Sequence, residues 1–123
     1  MNGLNMYNEV SVYSEVLGAS SHRQIQLLLD KLASQLHLAI TAIENKQIPE
    51  KCKRISSANS IVMYLQDCLN FNDTSSIALK LSAIYAHLEK QLFIANAKSD
   101  PVILRECIVI VNNIQTWWNH VSE

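Results

Sequence analysis

Four histidines, His22, His37, His87 and His120, and three cysteines, Cys52, Cys68 and Cys107, are the side chains here that could bind a metal or serve as acid, base or nucleophile. Helical bundles hold metals through Glu-x-x-His pairs, because residues three apart share a helix face. No histidine in this chain has a glutamate three residues before it. His87 keeps company with Lys80 and Lys90, His120 with Asn113 and Thr116, and His37 lies in a polar stripe. His22 sits beside the polar start of a helix, so all four are read as solvated. The cysteines show no Cys-x-x-Cys spacing, and Cys52 and Cys68 fall on one helix, roughly 24 Å apart along its axis. Their apolar neighbours predict buried thiols in a reducing compartment. Two glycines cannot build a phosphate-cradling loop, and no serine, histidine and acid fall in a nucleophile motif. The chain reads as a non-enzyme without metal or cofactor.

What remains is apolar surface. The 123 residues are 49% hydrophobic and only 17% charged, where soluble domains approach about 25% charged. One domain of this size has room for one core, so the surplus must be covered internally or by a partner. A net charge of −1 leaves no electrostatic footprint for nucleic acid or anionic lipid. The cluster Lys51, Lys53 and Arg54 reads as a solvated helix face. The N-terminus has no basic segment followed by an apolar run, and no apolar stretch is long enough to span a bilayer. A cytoplasmic protein without membrane insertion is expected.

Few glycines and prolines imply long elements. After Ser20 or Ser21 as N-cap, Ile25, Leu28, Leu29, Leu32, Leu36, Ala39, Ile40 and Ile43 recur at helical steps, with Asp30, Ser34, His37 and Thr41 on the wet flank. Pro49 suits the first turn of a second helix, in which Ile55, Ala58, Val62, Leu65 and Leu69 step 3-4-3-4. Asn70 to Ser75 is a turn, with Asp73 or Thr74 able to cap the third helix. That helix carries Ile77, Leu81, Ile84, Leu88, Leu92 and Ala95. Asp100-Pro101 starts a fourth, with Leu104, Cys107, Ile108, Val111, Ile114, Trp118 and Val121 as its stripe. Short connections favour antiparallel neighbours. The expected fold is therefore all-α, an antiparallel four-helix bundle over residues 19–123, preceded by an N-terminal arm or short extra helix over 1–18.

The fourth helix breaks this pattern. Cys107-Ile108-Val109-Ile110-Val111 is five apolar residues in a row, which at 100° per residue encircle the helix. Leu92-Phe93-Ile94-Ala95 poses the same problem. Either the N-terminal arm or a partner can supply the missing cover. Trp117 and Trp118 cannot both face the core, so one should be structural and the other half exposed.

Several segments, taken in order, resemble the flagellar secretion chaperone family (the FliS family). Tyr7-Asn8-Glu9-Val10-Ser11-Val12 is similar to its N-terminal aromatic segment, and Ala19-Ser20-Ser21 to its Ala-Ser-Pro opening of the first helix. Leu28-Leu29-Asp30-Lys31 stands where the family has Leu-Tyr/Phe-Asp-Gly. Leu81-Ser82-Ala83-Ile84-Tyr85 resembles a Leu-x-x-Leu-Tyr motif, and Leu92-Phe93-Ile94-Ala95-Asn96 a Leu-x-x-Ala-Asn motif followed by an acid, here Asp100. Glu106 and Trp118 fall at the family's helix-four acid and terminal tryptophan. The likeness runs from Tyr7 to Val121; its specificity lies in the order and spacing of the motifs. Ser21 replaces a proline, Leu29 an aromatic, Lys31 a glycine and Thr74-Ser75 a Gly-Gly pair, which marks a divergent member.

The resemblance implies a cytoplasmic export chaperone whose partner is flagellin, held by its disordered C-terminal segment, with a flagellar export gate component as a further partner. Binding would prevent premature polymerisation and support type III secretion. Such a segment docks as a helix in a groove, through apolar anchors at i, i+3, i+4 and i+7. The apolar faces of helices two to four are the expected groove. Tyr7, Tyr85, Leu88, Leu92, Ala95 and Asn96 are the expected client-binding residues, Tyr7 through the arm and Asn96 through its amide, which could equally cap the third helix. A bundle-shaped adaptor for a different secreted client is the alternative.

Overall fold

The computed structural model describes residues 21–71 and 76–121. The expected arm over 1–18 lies outside the described residues. Four helices follow one another: α1 Ser21–Glu44, α2 Ile48–Asp67, α3 Ile77–Lys98 and α4 Pro101–His120. Each packs against two others, α1 and α3 both touching α2 and α4, so the four stand at the corners of a square. Cross-helix bonds give the directions. Gln26 Nε2 donates to Asn119 Oδ1 at 2.9 Å, and Gln115 Nε2 to Asp30 Oδ1 at 2.8 Å. Numbers that rise on α1 fall on α4, which makes the two antiparallel. This is the all-α four-helix bundle that the spacing predicts.

The inner stripes are the predicted ones on three helices. Leu29, Leu32, Leu36, Ala39 and Ile40 of α1 face Ile55, Ala58, Val62 and Leu65 of α2, and Leu104, Cys107, Ile108, Val111 and Ile114 of α4 complete that side. Each fully buried leucine contributes about 1.5–3 kcal/mol over its exposed state. On α3 the stripe differs in its first half. Ala78 and Tyr85 turn inward, Leu81 and Ile84 sit at the edge, and Ile77 is exposed. Tyr85, Leu88, Leu92 and Ala95 step 3-4-3; Leu81, four residues before Tyr85, continues that phase as a half-buried neighbour of the core, whereas Ile84 lies off it.

Helix ends show which local signals act. Asp100 Oδ1 accepts the Val102 N–H at 2.9 Å, and Pro101 follows in the first turn, as expected. Pro49 likewise occupies the first turn of α2. α3 begins later than Asp73 or Thr74 would start it: Ser76 is its N-cap, with φ 62° and no capping bond from its side chain. Residues 72–75 lie outside the described residues. The chain closes α1 without glycine. Lys46 takes the left-handed conformation at φ 58°, the Gln47 N–H reaches the Ala42 carbonyl at 2.8 Å, and the Lys46 N–H reaches Ile43 at 3.0 Å. That pair of bonds is a Schellman closure, normally made with glycine at the position of Lys46.

Three expectations about polar side chains are corrected by the packing. Cys52 and Cys68 are exposed, and only Cys107 is buried, because both α2 cysteines stand outside the Ile55–Leu65 stripe. Lys51 is buried rather than solvated, because it stands four residues before Ile55 on the inner stripe of α2, where its amino group meets the end of α3. His22 is half-buried, not solvated: its ring stacks on Trp118 with centroids 4.7 Å apart and planes 14° apart. Trp118 also donates its Nε1–H to the His22 carbonyl at 2.9 Å. Antiparallel packing brings the last turn of α4 beside the first turn of α1, and this the local sequence does not contain. Trp118 is thereby the structural tryptophan and Trp117 the exposed one.

Two consequences for stability follow. Because a left-handed non-glycine residue costs roughly 1–2 kcal/mol, Lys46→Gly should raise stability by about 1 kcal/mol, read as a higher urea midpoint at unchanged slope. Burial pushes the Tyr85 hydroxyl up from 10.0 to about 12, helped by the charge of Cys68. Burial also pushes the Cys107 thiol from 9.0 to about 11, with Glu106 adding to the shift. Both groups hold their protons more tightly folded than unfolded. Their stabilisation is complete below the unfolded values and is lost as pH rises through the folded ones. Denaturation midpoints should therefore begin to fall above pH 9 and continue falling toward pH 12.

Candidate functional site

On either side of its core stripe, α3 borders an open groove. Leu81, Ile84 and His87, three apart, face α4 and meet Ile110, Asn113, Ile114 and Trp117. This α3/α4 groove has a volume of about 510 Å³ and is walled almost wholly by carbon. Glu89, Leu92, Phe93 and Asn96 face α2 and meet Ile55, Ser56, Asn59 and Met63 across a groove of about 420 Å³. Its polar residues give it a wetter character. At the end of the α3/α4 groove, Leu81, Ile114 and Trp117 also border a cavity of about 100 Å³ floored by Tyr85 and Trp118.

The rest of the surface has the same bias. α1 exposes a single large apolar side chain, Leu38. α2 exposes Ile48, Met63 and Tyr64, α3 exposes Ile77, Leu79 and Phe93, and α4 exposes Val102, Val109 and Trp117. Phe93 is 76% exposed and Val109 59%. The five-residue run on α4 resolves residue by residue. Cys107, Ile108 and Val111 face inward, Ile110 faces the groove, and Val109 faces outward. Apolar residues exposed on three of the four helices, with two grooves among them, mark places where something docks.

The candidate residues chosen from sequence separate into three groups. Tyr85, Leu88, Leu92 and Ala95 are between 0% and 3% exposed and belong to the core cluster. As packed here they support the grooves from within, Leu92 under the α2/α3 groove and Tyr85 under the end cavity. Asn96 is half-buried on the wall of the α2/α3 groove. Its carbonyl accepts from Lys51, and its Oδ1 lies 3.6 Å from Cys52 Sγ. Tyr7 lies outside the described residues. Ile84, Phe93, Ile110, Met63 and Trp117, which form the accessible walls, are not among these client-binding candidates. Their signal was available as apolar residues one step off the core stripe, such as Phe93 beside Leu92 and Ile110 beside Val111.

The chemistry on offer is adhesive. Among the described residues no three of His, Cys, Asp or Glu come together as a metal site would require. The Cys107 thiol, pushed up by burial, stays protonated at neutral pH and is a poor nucleophile. No described helix is long and apolar enough to cross a membrane.

The chain has known relatives in sequence. The family model described as flagellar protein FliS matches residues 3–123. The chain belongs to the FliS family. It is similar to the flagellar secretion chaperone FliS of Vibrio cholerae, with 32% identity over 118 residues that cover 96% of this chain and 87% of that one. The flagellar secretion chaperone FliSB of Pseudomonas aeruginosa is 30% identical over 122 residues, 99% of this chain and 97% of the other. The flagellar secretion chaperone FliS of Salmonella typhimurium is 31% identical over 121 residues, 98% and 90% of the two chains. The departures of this FliS-family chain at Leu29 and Lys31 lie on α1, Leu29 in the core and Lys31 half-buried, and neither lines a groove.

The assignment of packing and surface roles on α3 and α4 is directly measurable. Leu92→Ala should cost about 2–5 kcal/mol through cavity formation, whereas Phe93→Ser and Val109→Ser should each change stability by less than about 0.5 kcal/mol, all read from urea midpoints.

Proposed function

We propose that this FliS-family chain is a cytosolic export chaperone that holds the disordered C-terminal segment of flagellin, prevents its premature polymerisation and supports its type III secretion. The carrying observation is the pair of grooves flanking α3, above all the carbon-walled one between Ile84 on α3 and Ile110, Ile114 and Trp117 on α4. An amphipathic segment laid there as a helix buries its own apolar stripe and the chaperone's at once. Folding on binding costs ordering entropy, which the burial of about 1,000–3,000 Å² can offset. While that stripe is covered it is unavailable to other subunits, and the client stays unpolymerised. The chain needs no nucleotide for this, so release falls to the export machinery, with an export gate component as the second partner.

The client-binding residues take different parts in this scheme. Ile84, Ile110 and Trp117 touch the bound segment, Tyr85, Leu88, Leu92 and Ala95 hold the grooves in shape beneath it, and Asn96 offers an amide at the wetter groove. Tyr7 acts from the N-terminal arm, over the groove or against the client. Flagellin is preferred over a different secreted client because the departures on α1 leave the groove walls alone.

Titrating the protein with a C-terminal flagellin peptide should give one-to-one binding, added helicity by circular dichroism and a negative heat-capacity change. Ile110→Asp should weaken that binding by about tenfold or more, since it buries a carboxylate against an apolar stripe. Tyr7→Ala should alter binding or export while leaving the bundle folded. Absence of both heat and helix gain with the unaltered chain would defeat the flagellin assignment.

A further inference from the structure

Lys51 is 4% exposed, yet it forms no ion pair among the described residues. Its neighbour Arg54 takes the nearby carboxylate, bonding Glu50 Oε1 at 2.7 Å and the buried Gln35 Oε1 at 3.2 Å. Lys51 Nζ instead donates to the Asn96 carbonyl at 2.9 Å and to Ser99 Oγ at 2.8 Å. A cation out of water without a carboxylate is costly unless other negative charge meets it. Here that charge is the C-terminal end of α3, where backbone carbonyls lack helical partners and the dipole is negative. α3 has its own lysine in the last turn, Lys98, but that side chain is exposed. The cation that reaches the helix end comes from α2.

The position of this contact ties it to the wetter groove. Ile55 and Ser56, which line the α2 side, follow Lys51 by one turn on the same helix. Asn96 belongs to both structures, giving Lys51 its carbonyl and the groove its side chain. Its Oδ1 is steadied by Cys52 Sγ at 3.6 Å, which leaves the amide N–H groups as donors at the groove wall. Apolar packing fixes the phase of α3 as far as Ala95, but no side chain of the turn that follows, 96–98, is buried in the core. A two-acceptor contact to one amino group fixes both the rotation and the height of the last turn.

We propose that Lys51 is the positioning residue of the α2/α3 groove: it locks the last turn of α3 to α2, sets the groove's width, and aims the Asn96 amide at the main chain of the bound segment. This rests on the flagellin-binding reading and adds to it the group that shapes one of the two grooves. Because an apolar isostere of a buried charge is often tolerated by the fold, Lys51→Met separates shaping from folding.

The experiment measures binding of the C-terminal flagellin peptide to the full chain well below its unfolding temperature, for the unaltered protein, Lys51→Met, Ser99→Ala and the core variant Val111→Ala. Lys51→Met should weaken binding by roughly tenfold, Ser99→Ala by less in the same direction, and Val111→Ala should leave affinity unchanged despite its lost stability. The NMR signals of the Asn96 side-chain amide and of Phe93 should move in both Lys51→Met and Ser99→Ala. Binding by Lys51→Met within about twofold of the unaltered chain, or a loss no greater than that of Val111→Ala, overturns the proposal. Should Lys51→Met fail to fold, Ser99→Ala carries the test, and unmoved affinity with unmoved Asn96 signals overturns it. If the unaltered chain itself ignores the peptide, the flagellin reading fails, while the Asn96 signals of the free variants still decide whether Lys51 positions α3.

Discussion

Helical phase is the constraint on which this molecule depends. Once Leu29 and Leu36 on α1, Val62 on α2, Leu88 and Leu92 on α3 and Leu104 and Val111 on α4 interlock, no helix can rotate without opening the core. A helix has one inward face, and α3 and α4 carry more apolar residues than that face can take. Those off the inner phase, among them Ile84, Phe93, Val109 and Ile110, are held on the surface or in grooves by the packing of their neighbours. The exposed apolar surface is therefore not separate from the core. It is what the core leaves over.

That origin explains why the two grooves differ. Between α3 and α4 the out-of-phase residues are nearly all carbon, which gives adhesion without much direction. Between α2 and α3, Ser56, Asn59, Glu89 and Asn96 interrupt the apolar wall. Polar groups at an apolar groove cost little while wet and discriminate strongly once covered, because an unmatched donor or acceptor is then left without a partner. Under the proposed function, a client segment would gain affinity from the first groove and register from the second. The same division of labour suits a chaperone that must hold a segment firmly and later give it up intact.

The corners at Lys46 and Ser99 are built without glycine, and only the second draws on a tertiary contact. Lys46 and Ser99 both take left-handed conformations, at φ 58° and φ 50°. The first is closed by backbone bonds alone, whereas the second has Lys51 on its hydroxyl and Asp100 starting the next helix within one residue. The tight α3–α4 corner thus depends on a side chain from a third helix. At the opposite end of the bundle, the His22–Trp118 stack and the Trp118 bond to the His22 carbonyl pin the first turn of α1 to the last of α4.

The sequence by itself determined the four helices, the start signals at Pro49 and Asp100-Pro101, their antiparallel order and most of the inner stripes, because periodicity and helix-start chemistry are local properties of the chain. It also carried the family resemblance, through motifs whose order needs no structure to read. It pointed to an apolar surplus on helices two to four, but it named Tyr85, Leu88, Leu92 and Ala95 where the exposed walls are Ile84, Phe93, Ile110 and Trp117. Only the tertiary structure decided between them. Which of two adjacent apolar residues faces water depends on where the neighbouring helices stand, and no window of sequence contains that. The same holds for Lys51, whose acceptors lie 45 and 48 residues away, and for His22, whose ring partner Trp118 lies near the other end of the chain. Local spacing dictates what a helix can present. Packing dictates to whom.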